Sequence, residues 1–257
     1  NISLVAALIF AVHPIHTEAV DWISGRPDAQ AGFFYLLSFI LYLMARRSAH
    51  RTVILLCLSS AAFFLSLLSK EMAITFPAVL ILYEAVHISQ QQDSSRSDVP
   101  YLRFGRFRYI LPFFLMLAIY FLMRYNAVGA FWGSYPPQII TDIPPDSGDV
   151  FVRLMTVLNI TGSYLRLLML PVDLKTIYTV RIPNSLFDAG MLISIAVIVL
   201  IFVILMLARH RSKMAFFWAF FVPLTLSPVL LPLVISLNFA QTIMSERYLY
   251  IPSIGFC

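Results

Sequence analysis

Val53-Ile54-Leu55-Leu56-Cys57-Leu58-Ser59-Ser60-Ala61-Ala62-Phe63-Phe64-Leu65-Ser66-Leu67-Leu68 is a run of sixteen residues without a charge. The polar turn Ser69-Lys70-Glu71 follows, and then a second apolar run, Met72–Val86. A helix that crosses a bilayer needs about 20 mainly apolar residues, because in lipid the backbone must satisfy its own hydrogen bonds. The stretch therefore reads as a hairpin of two spanning helices with a minimal turn at the membrane surface. Five more runs of this kind flank it, at Ile2–Val12, Ala29–Ala45, Tyr109–Met123, Ala189–Ala208 and Met214–Leu237, which makes about seven spans. Pro77, inside the Met72–Val86 run, is tolerated where neighbouring helices satisfy the freed carbonyl.

Composition points the same way. Of the 257 residues 60% are hydrophobic and 12% charged, against about 45–50% and about 25% in soluble domains. A chain of this length cannot hide such a surplus from water, so the solvent is lipid. The expected fold is all-α: one polytopic transmembrane helical bundle over residues 1–257. The formal charge of +5 then reports orientation rather than nucleic-acid binding. Cys57 and Cys257 have neither metal-ligand spacing nor the pattern of a disulfide framework. Asn1 opens almost directly on an apolar run, and Ile251–Cys257 reads as the start of a further helix. The expectation is an internal piece of a longer protein.

Three connections are basic, at 46–52, 87–108 and 209–213, and together hold ten of the eighteen Lys and Arg residues. Alternation of the spans puts all three on one face, the cytoplasmic one by the positive-inside rule. The external loops are then 13–28, 69–71, 124–188 and 238–247, carrying ten of the thirteen acids. Ser89-Gln90-Gln91-Gln92-Asp93-Ser94-Ser95-Arg96-Ser97 reads as a polar, disordered linker. The apolar stretch Phe151–Leu170 cannot cross once in this layout. Its polar residues Arg153, Thr156, Asn159, Ser163 and Arg166 recur at helical spacing, so an interfacial or re-entrant helix is expected. Asn159-Ile160-Thr161 matches a glycosylation acceptor, but acceptors need exposed loops.

Three polar groups collect on the external face. The densest is His13-Pro14-Ile15-His16-Thr17-Glu18-Ala19-Val20-Asp21-Trp22-Ile23-Ser24-Gly25-Arg26-Pro27-Asp28. Ionisable groups at membrane depth are costly unless paired or wet, which makes such a cluster a candidate site. The competing reading is a solvated loop, with Ser24 or Asp28 capping the next helix and Trp22 in the aromatic belt. His13, His16 and Glu18 are spaced too tightly for a structural zinc site; a divalent metal stays open but unsupported, and no metal or cofactor is assigned. The second group is Ser69-Lys70-Glu71, where Lys70 either snorkels or meets a lipid phosphate. The third is Ser245-Glu246-Arg247-Tyr248-Leu249-Tyr250-Ile251-Pro252, in which Arg247 is suited to bidentate phosphate binding. No Gly-rich phosphate loop, Gly-x-Ser-x-Gly or Cys-x-x-Cys occurs, and Gly129 and Gly133 fall in an external loop.

In His13–Val20 with Gly25-Arg26-Pro27-Asp28, in Ser69-Lys70-Glu71, and in Ser245–Gly255, the sequence resembles the membrane part of the transmembrane and tetratricopeptide-repeat (TMTC) proteins. These motifs come in the family's order, while Met123–Asp188 matches only through Tyr164-Leu165 and Leu170-Pro171. The resemblance implies a glycosyltransferase C-like fold. It also implies protein O-mannosyltransferase activity with a polyprenyl- or dolichyl-phosphate sugar as donor and a protein as acceptor, on the lumenal or periplasmic side. Lys70 and Arg247 would hold the donor phosphate. His13, His16, Glu18, Arg26, Asp28, Glu71, Glu246, Tyr248 and Tyr250 would line the site, with Arg26 and Asp28 fixing the loop. The family's catalytic acid is expected upstream of Asn1, and Glu18 is a weak substitute for it.

The alternatives are a non-catalytic polyprenyl-phosphate binder or flippase and a membrane anchor for a repeat domain. A bacterial inner membrane is preferred to the endoplasmic reticulum membrane. The layout is testable: cysteines placed at Ser95 and Ser147 are expected to label from opposite sides of the membrane, and labelling from one side overturns it.

Overall fold

The computed structural model describes residues 2–48, 50–94, 108–129, 150–175, 178, 188–235 and 244–257. Arg96, Arg103, Arg106, Gly133 and the stretch 238–243 lie outside the described residues. The described chain is helical: α1 (Ile2–Val12), α2 (Thr17–Asp21), α3 (Arg26–Arg47), α4 (Thr52–Ser69), α5 (Phe76–Ser94), α6 (Leu111–Val128), α7 (Val150–Met169), α8 (Ala189–Arg211), α9 (Lys213–Ile235) and α10 (Tyr250–Phe256). Short 3-10 turns at Pro14–His16, Ile23–Gly25, Glu71–Thr75 and Glu246–Leu249 lead into α2, α3, α5 and α10.

Five segments are long and apolar enough to cross a membrane: Ile23–Arg47, Thr52–Ser69, Leu111–Val128, Ala189–Leu207 and Lys213–Pro232. A sixth is counted if Ser3–Val12 and Pro14–Asp21, bent by 52°, are one broken span. The expected seven included Met72–Val86, which is not in this set among the described residues. The helix α5 carries Glu84 and His87 and runs on to Ser94, through part of the polar linker expected to be disordered. Leu111–Val128 likewise extends beyond the expected end at Met123.

Two ion pairs nevertheless show that α5 with its leading turn matches α3 in height. Lys70 Nζ lies 3.1 Å from Asp28 Oδ2 near one end of α3. Arg46 Nε lies 2.8 Å from Glu84 Oε1 at the other end. Asp28 and Arg46 are eighteen residues apart, about 27 Å along a helix at 1.5 Å per residue, close to the roughly 30 Å of a bilayer's hydrocarbon core. Glu84 is fully buried and also accepts from Tyr42 Oη at 2.7 Å, while the Arg46 guanidinium lies 4.8 Å from the centre of the Tyr109 ring.

Between these pairs, serines bring α3 and α4 together. Ser38 Oγ donates to the Ser59 carbonyl (2.8 Å), Ser59 Oγ to the Ser38 carbonyl (2.7 Å) and Ser66 Oγ to the Ala31 carbonyl (2.8 Å). Small side chains that let backbones approach are what helix association in lipid requires, since burial of apolar surface gives no driving force there. An aromatic core fills the opposite side. The Phe76 ring has Tyr35, Phe63 and Phe113 at 4.8, 5.1 and 5.4 Å between centres, and Phe217 of α9 stacks on Phe39. α9 contains Pro223, Pro228 and Pro232. Pro228 leaves the Leu224 carbonyl without its helical donor, and Ser227 Oγ supplies one at 2.7 Å.

α7 is not among the membrane-crossing set, and its polar stripe is partly used in packing. Ser194 Oγ of α8 donates to Asn159 Oδ1 at 3.0 Å, which leaves Asn159 inside a helix pair rather than on an exposed loop.

Removing one partner of a buried ion pair strands the other. Arg46→Ala is expected to lower stability by about 3–5 kcal/mol, measured by thermal unfolding in detergent. Arg46→Gln with Glu84→Gln should recover much of that loss. If Arg46→Ala melts with the wild type, Arg46–Glu84 is not the tie between α3 and α5.

Candidate functional site

The site lies at the Asp28 end of the bundle, where α2, the start of α3, the end of α4 and the turn before α10 meet. α1 ends at Val12, and the turn Pro14–His16 leads into α2, which carries Glu18. A second turn, Ile23–Gly25, folds back on α2 so closely that a Cβ on Gly25 would sit 2.4 Å from the Glu18 carbonyl oxygen. Only glycine permits that approach. The start of α3 then presents Asp28, the end of α4 presents Lys70, and the turn before α10 presents Glu246, Arg247 and Tyr248.

Two ion pairs meet here. Glu18 grips residue 247 with both oxygens: Oε2 accepts from the Arg247 backbone N–H at 3.0 Å, and Oε1 accepts from Nη1 at 3.1 Å. Asp28, only 3% exposed, takes Lys70 Nζ. Both cations share one aromatic wall, since Lys70 Nζ and Arg247 Cζ lie 5.9 and 5.4 Å from the centre of the Tyr248 ring. The Arg247 guanidinium also covers Trp22 at 4.9 Å, within cation–π range. Its Nε is buried and has no hydrogen-bond partner. Glu18, Asp28, Lys70 and Arg247 together carry no net charge.

The histidines have structural partners. Ile15 N–H donates to His13 Nδ1 (3.2 Å), and the Leu168 carbonyl accepts from His13 Nε2 (3.2 Å). These two partners fix His13 as the neutral Nε2–H tautomer. His16 is buried, packed against the Phe10 and Tyr250 rings at 4.4 and 4.8 Å, with Nε2 2.8 Å from Ser253 Oγ. Ser253 donates its own proton to the Tyr250 carbonyl, so His16 donates to Ser253. Tyr250 in turn lies so close to α3 that a Cβ on Gly32 would meet its ring at 2.7 Å. Among the described residues no three His, Cys, Asp or Glu side chains are placed to hold a metal.

Glu246, 3% exposed, sits beside Arg247 and accepts from the Lys175 N–H (2.8 Å) and from the Tyr178 hydroxyl, both on Oε1. Burial is the main cause that pushes its carboxyl above the usual range, against the pull of the Tyr178 and Lys175 bonds, with the Glu18 charge adding to the rise. Burial, then the bond to Glu246, pushes the Tyr178 phenol up as well, so it stays a donor.

Under this end of the bundle is a largely apolar cavity of about 1070 Å³. Ser3 and Phe10 of α1, Leu168 of α7, Ile201 of α8, Trp218 of α9 and Phe256 of α10 are among its walls. Phe10 and Leu168 are also the partners of His16 and His13, so the cavity and the polar cluster share a wall.

Of the residues expected to line a site, His13, His16, Glu18, Asp28, Glu246, Tyr248 and Tyr250 are brought together with Lys70 and Arg247. Two are not. Arg26, expected to fix the loop, is exposed, and Asp28 pairs with Lys70 instead of acting with it. Glu71 is exposed and makes no ion pair among the described residues. Nor does Asp28 or Ser24 cap α3, whose N-cap Gly25 makes no side-chain bond. The sequence reading missed Trp22 as a platform for Arg247, and Tyr178 and Lys175 as the partners of Glu246. Ser253 had a signal, in that it falls within the Ser245–Gly255 motif; Tyr178 had none.

Fold and site together define an integral membrane protein, a polytopic helical bundle with an ion-paired polar site at one end beside an apolar cavity. The chain is similar in sequence to the TMTC protein O-mannosyl-transferases. Protein O-mannosyl-transferase TMTC2 of Homo sapiens is 30% identical over 177 residues, 66% of this chain and 21% of its own length. Protein O-mannosyl-transferase TMTC4 of Homo sapiens is 38% identical over 93 residues, 34% of this chain and 13% of its own length. Protein O-mannosyl-transferase F38B6.6 of Caenorhabditis elegans is 26% identical across 100% of this chain and 34% of its own length. The chain thus spans no more than 34% of the length of these relatives. No family model and no solved structure matches it. These relatives are animal proteins, and they give the expected bacterial inner membrane no support.

The raised Glu246 carboxyl has a definite pH signature. The folded chain keeps that proton to higher pH than the unfolded chain. The stability it contributes is therefore full below the ordinary carboxylate pKa and lost as pH rises through the raised value. Glu246→Gln carries no such titration. Its Tm relative to wild type is expected to rise as pH increases above the ordinary carboxylate pKa; parallel Tm curves would show that Glu246 does not titrate high.

Proposed function

We propose that this chain is the membrane part of a glycosyltransferase. It would move a sugar, mannose by analogy with the names of its relatives, from a polyprenyl- or dolichyl-phosphate donor to a protein hydroxyl. The observation that carries this reading is the meeting of Lys70 and Arg247 on the Tyr248 ring, in a polar cluster whose His13 and His16 border a largely apolar cavity through Leu168 and Phe10. A lipid-phosphate sugar has these same two parts, an anionic group and a long apolar chain. When the sugar leaves, negative charge grows on the phosphate, and fixed cations at a low-dielectric boundary stabilise that charge. Lys70 serves as a point charge and Arg247 as a planar fork that can bind two oxygens.

In this reading His13 and His16 are positioning residues. They tie the Pro14–His16 turn to α7 and α10 through Leu168 and Ser253, and so hold Glu18 against Arg247. The site faces the lumen of the endoplasmic reticulum, the compartment that the animal origin of the relatives favours, with the basic connections 46–52, 87–108 and 209–213 on the cytoplasmic side. No described residue is assigned as the base that takes the acceptor's proton.

The test is a transferase assay on the full-length protein that contains this sequence, with polyprenyl-phosphate mannose as donor. Lys70→Ala and Arg247→Ala are each expected to lower kcat by about 10²–10³, the usual loss for one electrostatic donor to a developing anion. Unchanged transfer by both variants means that Lys70 and Arg247 do not hold the phosphate. Donor binding without transfer by the wild type means a lipid-phosphate carrier instead.

A further inference from the structure

We infer that the Glu18 carboxylate is the resident anion of the Arg247 site, and that a lipid phosphate binds by exchanging with it. This inference rests on the reading of Arg247 as a phosphate ligand. Glu18 is held as a bound anion would be: one oxygen on a backbone N–H and the other on a guanidinium nitrogen of the same residue, at 3.0 and 3.1 Å. The donors it uses are those a phosphate would use.

The fit is incomplete in an informative way. Glu18 reaches only Nη1 of the guanidinium, and Nε is left buried without a partner. A buried N–H without an acceptor is unfavourable, and few occur in native proteins. A phosphate offers oxygens in a tetrahedral array and can take two guanidinium nitrogens at once, so it satisfies the donor that Glu18 leaves over. Lys70, whose charge Asp28 balances, can meet the same phosphate only with its remaining N–H donors. With both pairs closed the cluster is neutral and does not attract a phosphodiester. When Glu18 turns away, one positive charge is exposed beside Trp22 and Tyr248, and the phosphate neutralises it. Glu18 thus sets the threshold for anion entry. A neutral lipid, with no charge to replace the carboxylate, cannot open the pair.

The experiment is a binding titration on the full chain in nanodiscs, read by tryptophan emission, because Trp22 lies against the Arg247 guanidinium. Farnesyl phosphate and inorganic phosphate are the two probes, and they separate a lipid phosphate from free phosphate. Removing the competing carboxylate with Glu18→Gln is expected to tighten farnesyl phosphate about tenfold, with less gain for inorganic phosphate. Arg247→Gln is expected to abolish binding. If Glu18→Gln does not fold, Glu18→Asp keeps the charge but is too short to hold both donors, and it should also bind more tightly than wild type. Wild-type binding with no gain, or a loss, in the Glu18 variant that folds overturns the exchange and leaves Arg247 as a phosphate ligand. A wild type and a Glu18 variant that both fail to bind farnesyl phosphate overturn the phosphate reading itself. Equal gains for the two probes show that the site takes phosphate from water rather than from a lipid, and they overturn the lipid part of the inference.

Discussion

A charge at membrane depth must find its opposite, and in this chain that requirement sets which helices meet. Three ion pairs, Arg46–Glu84, Lys70–Asp28 and Arg247–Glu18, join residues 38, 42 and 229 positions apart. Each closes a contact that apolar packing would leave loose, since lipid and core side chains are equally apolar. Two of the pairs lock α3 to the α4–α5 hairpin at both ends. The third fastens the beginning of the chain to its last described turn. Breaking such a pair is far worse than never having had one, because a lone charge is left in a medium that cannot solvate it.

The pairing explains why the small residues sit where they do. Asp28 reaches Lys70 only if α3 and α4 run close, which the Ser38–Ser59 and Ser66–Ala31 bonds secure. Glu18 reaches Arg247 only if the turn at Gly25 folds onto α2, and Tyr250 can back His16 only because Gly32 leaves room. The apolar cavity borders Phe10 and Leu168, the partners of His16 and His13. The polar site is therefore produced by helix packing rather than carried on a free loop.

Much of this was legible in the sequence, but only where the signal was local. Apolar runs give helices because the lipid solvent demands continuous backbone bonding, and Thr52–Ser69 and Lys213–Ile235 fall close to their expected bounds. The Met72–Val86 run was harder. Hydropathy sees Glu84 as a defect, whereas the fold uses it as the partner of Arg46, a relation between residues that no window spans. The polar clusters could be named as candidates because charge is scarce in such a chain. Their pairing could not: Asp28 was expected to help Arg26 fix the loop, and its partner is Lys70, at the end of another helix. Tyr178 lies in a stretch with neither periodicity nor a motif, and only the fold brings it to Glu246.

The inner and outer arginines show what separates a tie from a site. Arg46 is held by two nitrogens: Glu84 takes Nε and Nη2 through its two oxygens, the Tyr42 hydroxyl donates to the same Glu84, and the Tyr109 ring covers the guanidinium. No buried donor of Arg46 is left without a partner. Arg247 has the same residue type, the same kind of partner and its own aromatic faces, yet its Nε goes unused. A protein that needed only a tie at this end could have closed that bond as it did at the other. The open donor belongs to the polar cluster whose histidines share the Phe10 and Leu168 wall of the largely apolar cavity. The one incomplete pair is the one placed to exchange partners.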